Sequence, residues 1–507
     1  MIQIVTDHNI IEALRKLSHP VHISSVGPDN LPHAVYVPPL MPDQLGDQEF
    51  CREIGISYPY LGGSMAKGIS SVAMAEELGR SGMLGFFGAA GLRFSAVEAA
   101  VDKLSGSGFP FGFNLIHSPH EPDLEAALAE LYIRKKVQLV EASAFLALTL
   151  PLVRYRTHGI HRAADGTIIA PNRIIAKVSR EELAEKFFSP PPEKLLRQLL
   201  DVGAITAEQA KLATRIPMAQ EVTAEADSGG HTDNRPAIAL FPAIASLAGR
   251  MEQKFGYAVK LRVGLAGGIA TPAAVAAAFA MGAAYIMTGS VNQACVESGT
   301  SDAVRRMLAE TRQADVIMAP AADMFEMGVS VQVLKRGTMF PMRAAKLYDM
   351  YRSHDGLESI PGPERDKLEK TLFLAPLADI WRDTRAFFLQ RDPCQVERAE
   401  RDPKHHMALV FRWYLGQAAQ WAKDGASTRT MDYQVWCGPA MGAFNEWTAG
   451  SFLATPEKRR VATVARNLLF GAALLTRANI LRYQAIKLPA DFRIEPLEDL
   501  HIKEYLT

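Results

Sequence analysis

The chain has 507 residues, and its 55 lysines and arginines balance 55 aspartates and glutamates, so the formal charge is zero. That balance excludes a global electrostatic case for binding nucleic acid or a membrane surface, and the length predicts one large domain plus a smaller one. Four cysteines (Cys51, Cys295, Cys394 and Cys437) lack CxxC spacing, which excludes a zinc site or disulfide framework and fits a reducing cytoplasm.

In chain order, residues 1–50 read as an N-terminal extension. Asp7 and Glu12 interrupt any apolar stretch there, so no signal peptide is expected. Ile54 to Leu61 reads as a strand running into the loop Gly62-Gly63-Ser64-Met65-Ala66-Lys67-Gly68, followed by a helix from Ile69 to Arg80. Met83 to Phe87 is a strand, Ser95 to Leu104 a helix, Pro110 to Ile116 a strand, Pro119 to Lys135 a helix, and Val137 to Val140 a strand. Thr149 to Arg154 and Arg173 to Val178 read as further strands. Glu181 to Arg215 is charged and helical in pattern, broken by Ser189-Pro190-Pro191-Pro192, and reads as an insertion. Met218 to Ala224 is a strand that runs into Glu225-Ala226-Asp227-Ser228-Gly229-Gly230-His231.

The most informative stretch follows. Strand Leu261 to Leu265 leads into Ala266-Gly267-Gly268-Ile269, and strand Ala284 to Met287 into Thr288-Gly289-Ser290. Between them Thr271 caps an alanine-rich helix, Pro272 takes its first position, and Gly282 ends it. Two glycine loops one strand–helix unit apart are how the last units of a (β/α)8 barrel grip a phosphate. Val263 to Val296 carries no charge, yet glycine and proline divide it into pieces too short for a membrane span. Buried parallel strands and their helices are expected to be this apolar. No GxGxxG follows a strand, so a Rossmann domain is not expected.

The expected fold is therefore α/β: a (β/α)8 TIM barrel over residues 51–347, with a helical insertion at about 181–216 and a helical C-terminal region over 348–507. That last region has three uses open to it: covering the barrel mouth, forming a homodimer, or docking a partner.

Five segments together resemble the flavin-dependent nitronate monooxygenase and enoyl-reductase barrel superfamily. They are Gly62 to Ala66, Pro110 to Leu115, Ser228 to His231, Ala266 to Ile269 and Thr288 to Ser290, in that order and spacing. A finer resemblance is to the PfaD family, the trans-acting enoyl reductases of polyunsaturated fatty acid and polyketide synthases. It rests on Glu141 to Phe145, Thr157 to Arg162, Ala322 to Val329, Met339 to Ala344 and Gln434 to Asn445.

The resemblance implies FMN at the barrel mouth, NADPH as hydride donor, and an enoyl thioester on an acyl carrier protein as substrate. Gly267, Gly268, Gly289 and Ser290 would hold the FMN phosphate through N–H groups and a hydroxyl. Gly63 belongs to the flavin-binding set, with Met65 and Ala66 lying against the isoalloxazine ring. Asn114 would serve a ring edge, and Lys177 would place positive charge near the reduced flavin. Gly229 and Gly230 complete the set and turn the chain so that His231, the catalytic residue that would donate a proton or polarise the thioester carbonyl, faces the cavity. Asp227 and Ser228 stand where Glu-Ala commonly precedes that motif.

Other residues keep plainer readings. His158 and His161, flanked by Arg154, Arg156 and Arg162, fit either a phosphate-binding loop or an exposed basic one. No metal ligand set is expected. Asp323 and Glu326 are either a catalytic pair or a cap and a solvated carboxylate. The runs Arg134-Lys135-Lys136 and Lys458-Arg459-Arg460 read as solvated helix ends or as a docking patch for an acidic carrier protein. Trp413, Tyr414 and Trp436 read as core or interface aromatics. Two alternatives to an enoyl reductase remain open at this point: a nitronate monooxygenase-type flavoenzyme, and a non-catalytic synthase assembly subunit.

Overall fold

A computed structural model describes residues 10–26, 32–117 and 121–507. Asp7 and the expected helix start at Pro119 lie outside them. Eight parallel strands close into a barrel: β1 Tyr60–Gly62, β2 Leu84–Phe87, β3 Phe111–Ile116, β4 Leu139–Ser143, β5 Arg173–Val178, β6 Glu221–Glu225, β7 Arg262–Ala266 and β8 Ile286–Thr288. Each strand pairs with its neighbours in sequence, and Ile286 against Tyr60 closes the ring. Barrel interior and surrounding helices cover both faces of each strand, hence the runs of buried residues.

Two expected strands are corrected. Thr149 to Arg154 is not a strand but part of the helix Leu150–Thr157. The Thr149 hydroxyl accepts from Leu152 N at 3.4 Å, and Pro151 sits in the first turn, where its missing N–H costs nothing. Ile54 belongs to the helix Gln48–Ile54, which ends at Gly55 with φ of 81°, so the strand begins only at Tyr60. Helices Glu181–Phe188, Glu193–Asp201 and Ala207–Ala213 stand between β5 and β6.

The strand starts are closed by charge. Arg173, Glu221 and Arg262 open β5, β6 and β7. Arg262 lies 2.7 Å from Glu53 and 3.3 Å from Glu221, and Arg173 pairs with both carboxylates. In a barrel this end serves stability, and the chemistry belongs to the other.

After β8, strands Val316–Pro320 and Ser330–Leu334 do not join the barrel. They form an antiparallel sheet with Gly230–His231, in which Ser330–Leu334 is central. The C-terminal region is helical: Leu377–Arg391, Pro403–Asp424 and Ala440–Thr448 precede Val461–Tyr483. The last packs on Pro272–Ala280 so closely that a Cβ on Gly471 would meet Pro272 Cγ at 2.6 Å. Arg459 is not a solvated helix end. It is buried, donates to Leu453 O at 2.8 Å and to Asn445 Oδ1 at 3.0 Å, and lies over the Phe444 ring. Among the described residues, no helix is long and apolar enough to cross a membrane, and no three His, Cys, Asp or Glu side chains are grouped to hold a metal.

Candidate active site

The C-terminal ends of the strands open into a cavity of about 1130 Å³. The twelve residues that the resemblance assigns to the flavin and to catalysis all line it: Gly63, Met65, Ala66, Asn114, Lys177, Gly229, Gly230, His231, Gly267, Gly268, Gly289 and Ser290.

The loop after β1 is pinned by Ser70, whose hydroxyl donates to Gly63 O at 2.8 Å and accepts from Met65 N at 3.0 Å. Gly88 lets the backbone of Met65 come close; a Cβ there would fall 1.7 Å from Met65 O. The two phosphate-type loops differ in what surrounds them. Gly267 has φ of 81°, and a Cβ on it would strike the Ala226 carbonyl carbon at 2.6 Å. At Gly268 and Gly289 a Cβ would meet nothing within 4 Å, so both faces border open cavity. The Ser290 hydroxyl accepts a bond from Gly438 N at 3.1 Å, which ties the loop after β8 to the C-terminal region.

On the floor, Lys177 of β5 lies 3.3 Å from Glu141 of β4 and 3.3 Å from Glu225 of β6. Burial opposes its charge, but Glu141 and then Glu225 outweigh that cost and hold the ammonium well above the ordinary lysine range. Glu141 is fully buried and accepts from Ser64 N at 3.0 Å and Ser143 Oγ at 3.1 Å. Asn114 Nδ2 donates to the same Ser143 hydroxyl at 3.1 Å. The sequence reading missed Glu141 and Glu225 as site residues. The signal was present: each is a carboxylate near the end of an apolar strand, on the same rim as the glycine loops.

His231 stands on the other wall with Nε2 3.3 Å from Asp323 Oδ1. Burial works against its protonated form, but the Asp323 carboxylate more than compensates, and its pKa is raised. Glu326 instead meets Arg412 at 3.2 Å. His158 and His161 do not line the cavity. They precede β5 at the strand-start end, His158 against Arg154 at 3.1 Å and His161 in an exposed two-residue strand.

The roof comes from far along the chain. Phe387, Phe388, Leu409, Trp413 and Trp436 line the cavity, while Tyr414 is core and donates to Asp432 at 2.6 Å. Trp413 and Trp436 are thus cavity walls as well as packing residues. Lys67 reaches across to Gly416 O at 2.8 Å. Burial, with Lys423 and Arg391 nearby, pulls its pKa down to about 8 against the opposing pull of Asp424.

Likeness to known proteins extends this picture. Residues 354–433 match the family described as acyl-carrier-protein S-malonyltransferase, inserted helical domain. The chain is 48% identical over 458 residues to a polyunsaturated fatty acid synthase protein of Thraustochytrium sp. (strain ATCC 26185 / S-3), an alignment covering 89% of this chain and 31% of that protein. It is 44% identical over 436 residues to polyketide biosynthesis protein PksE of Bacillus subtilis (strain 168), covering 85% and 56%. The chain therefore spans between about a third and about half the length of these relatives. The solved enoyl reductase domain of MlnA, from the macrolactin biosynthesis cluster of Bacillus amyloliquefaciens, superposes with a TM-score of 0.83 at 39% identity, over 88% of this chain and 100% of that one. A match of that identity over a whole solved domain shows that the chain belongs to the PfaD family of enoyl reductases of polyunsaturated fatty acid and polyketide synthases.

Proposed function

We propose that the chain is an FMN-dependent enoyl reductase acting in trans on 2-enoyl thioesters carried by an acyl carrier protein, with NADPH as reductant. The observation that carries this reading is the convergence of the glycine loops, the Lys177 cluster and His231 on one roofed cavity. The residues fit the flavin. Open space beside Gly268 and Gly289 leaves room for a phosphate against the backbone, and Lys177 and Asn114 supply polar groups for the ring edge. When bound, the flavin supplies the hydride that adds to the substrate β carbon.

The protein's own residues complete the reaction. As the β carbon gains hydride, the electron pair of the double bond takes a proton at the α carbon. His231, as imidazolium, donates it and is reprotonated from solvent. Phe387, Phe388, Trp413 and Trp436 provide an apolar wall for the acyl chain and exclude water. A carrier-protein partner is supported by the likeness of residues 354–433 to a domain from an acyl-carrier-protein transferase.

The test is anaerobic stopped-flow. The FMN-loaded protein is reduced with NADPH and mixed with a 2-enoyl thioester on a carrier protein. Flavin reoxidation with formation of saturated thioester is expected, slowed about 10²- to 10⁴-fold in His231→Ala. Reduced protein that ignores the thioester, while oxidised protein consumes a nitronate in air, would replace this reading with a monooxygenase.

A further inference from the structure

His231 pairs with Val331 across the small antiparallel sheet, and Val331 pairs in turn with Ala319. The loop joining Val316–Pro320 to Ser330–Leu334 carries Asp323, so the sheet order brings this carboxylate beside the imidazole. His231 Nε2 is shut off from solvent and makes no hydrogen bond of good geometry, and Asp323 Oδ1, 3.3 Å away, is in ion-pair range of it.

The loop is held from the C-terminal side. Ala321 N donates to Val329 O at 2.9 Å across its base. Phe325 is fully buried against Tyr348, Tyr351 and Phe411, with ring centroids 5.4, 5.2 and 6.5 Å away. Glu326 is paired with Arg412 of the Pro403–Asp424 helix.

From this arrangement we infer that Asp323 is the positioning residue of His231, aligning its ring and balancing the imidazolium charge, and that the C-terminal helices hold Asp323 in place. The inference rests on the enoyl-reductase reading for its purpose and on geometry for its existence. A carboxylate this close to an imidazole favours its charged form, and that attraction draws the ring toward Asp323. The other charged groups facing His231 are Glu225 at the end of β6, which favours protonation, and Lys177 at the end of β5, which opposes it. Arg412 acts on Asp323 from the helical side. Asp227, on the histidine's own loop, is engaged by Gln332 at 2.8 Å and Asn234 at 2.9 Å.

The sign follows. A histidine with raised pKa keeps its proton to higher pH, so α-carbon protonation is supported at low pH and fades as pH rises through the folded pKa. Removing Asp323 moves that fade to lower pH.

The experiment titrates the full chain, labelled with ¹³C at histidine Cε1, by NMR as wild type, Asp323→Asn and Asp323→Glu. His231→Ala assigns the resonance. The expected result is a wild-type His231 midpoint above that of ordinary histidine, a fall of about one pH unit in Asp323→Asn, and recovery in Asp323→Glu. The pH limit of thioester-driven flavin reoxidation should move with it. Identical His231 titrations in wild type and Asp323→Asn would overturn the inference. So would a wild-type midpoint at or below the ordinary value, which decides the matter even if Asp323→Asn fails to fold. If wild type never reduces the thioester, the enoyl-reductase reading fails, while the titration still decides the pairing.

Discussion

Lys177 joins two carboxylates of neighbouring strands at a largely buried site. Removing one member of a buried ionic group strands the others, at a cost of about 3–5 kcal/mol. Lys177→Met should therefore lose about that much stability in urea unfolding, far more than a surface lysine would. A loss under about 1 kcal/mol, the range of exposed pairs, would mean that water solvates the cluster. From the sequence, a lysine near a strand end reads as a solvated residue, and only the family resemblance points Lys177 toward the cavity. Glu141 and Glu225 carry a signal as strand-end carboxylates, but the pairing with Lys177 was not legible, because a carboxylate in an apolar strand does not say what lies on the adjacent one. The same limit applies to Asp323, whose two readings stayed open until the sheet placed it against His231.

At the scale of elements, local chemistry decided most outcomes, and the errors had local causes. Thr149-Leu150-Pro151-Leu152-Val153 reads as a strand when apolar and β-branched content is weighed alone. Its capping threonine and first-turn proline set the outcome as helix. Thr149→Ala should cost about 1 kcal/mol through the lost cap alone. The Thr149 hydroxyl also bonds Glu125, so the measured loss should exceed that value. A neutral result in thermal unfolding would contradict the cap. Most barrel strands were legible, because runs such as Leu84–Phe87, Arg262–Ala266 and Ile286–Thr288 end in glycine loops and cannot extend further.

Across the whole molecule, the C-terminal helices are fastened to the N-terminal segment and to the loop after β1. Arg477, buried in the Val461–Tyr483 helix, donates to Leu14 O at 2.7 Å, Lys16 O at 2.8 Å and His19 O at 2.6 Å. Its burial holds the guanidinium down at about 10. Arg477→Met would leave three carbonyls without this donor, and each lost bond to a charged group is worth about 1.5–3 kcal/mol. Amide hydrogen exchange should then rise first in residues 10–23, before the barrel strands are affected. Unchanged exchange there would show that these residues are held by packing alone. On the roof side, Lys67 bridges to Gly416, 349 positions away in sequence.

The sequence by itself determined the barrel and the two glycine loops at its mouth, whereas His231 was picked out by the family resemblance of the motif that carries it. The barrel and its loops depend on neighbours within a few residues: caps, turns, apolar period and the backbone freedom of glycine. Only the tertiary structure decided which charges face one another, that helices from beyond residue 376 roof the cavity, and that Asp323 meets His231. Those contacts join residues far apart in the chain. They form because buried charges must find partners and apolar helix faces must be covered, and local pattern does not say which partner will do so.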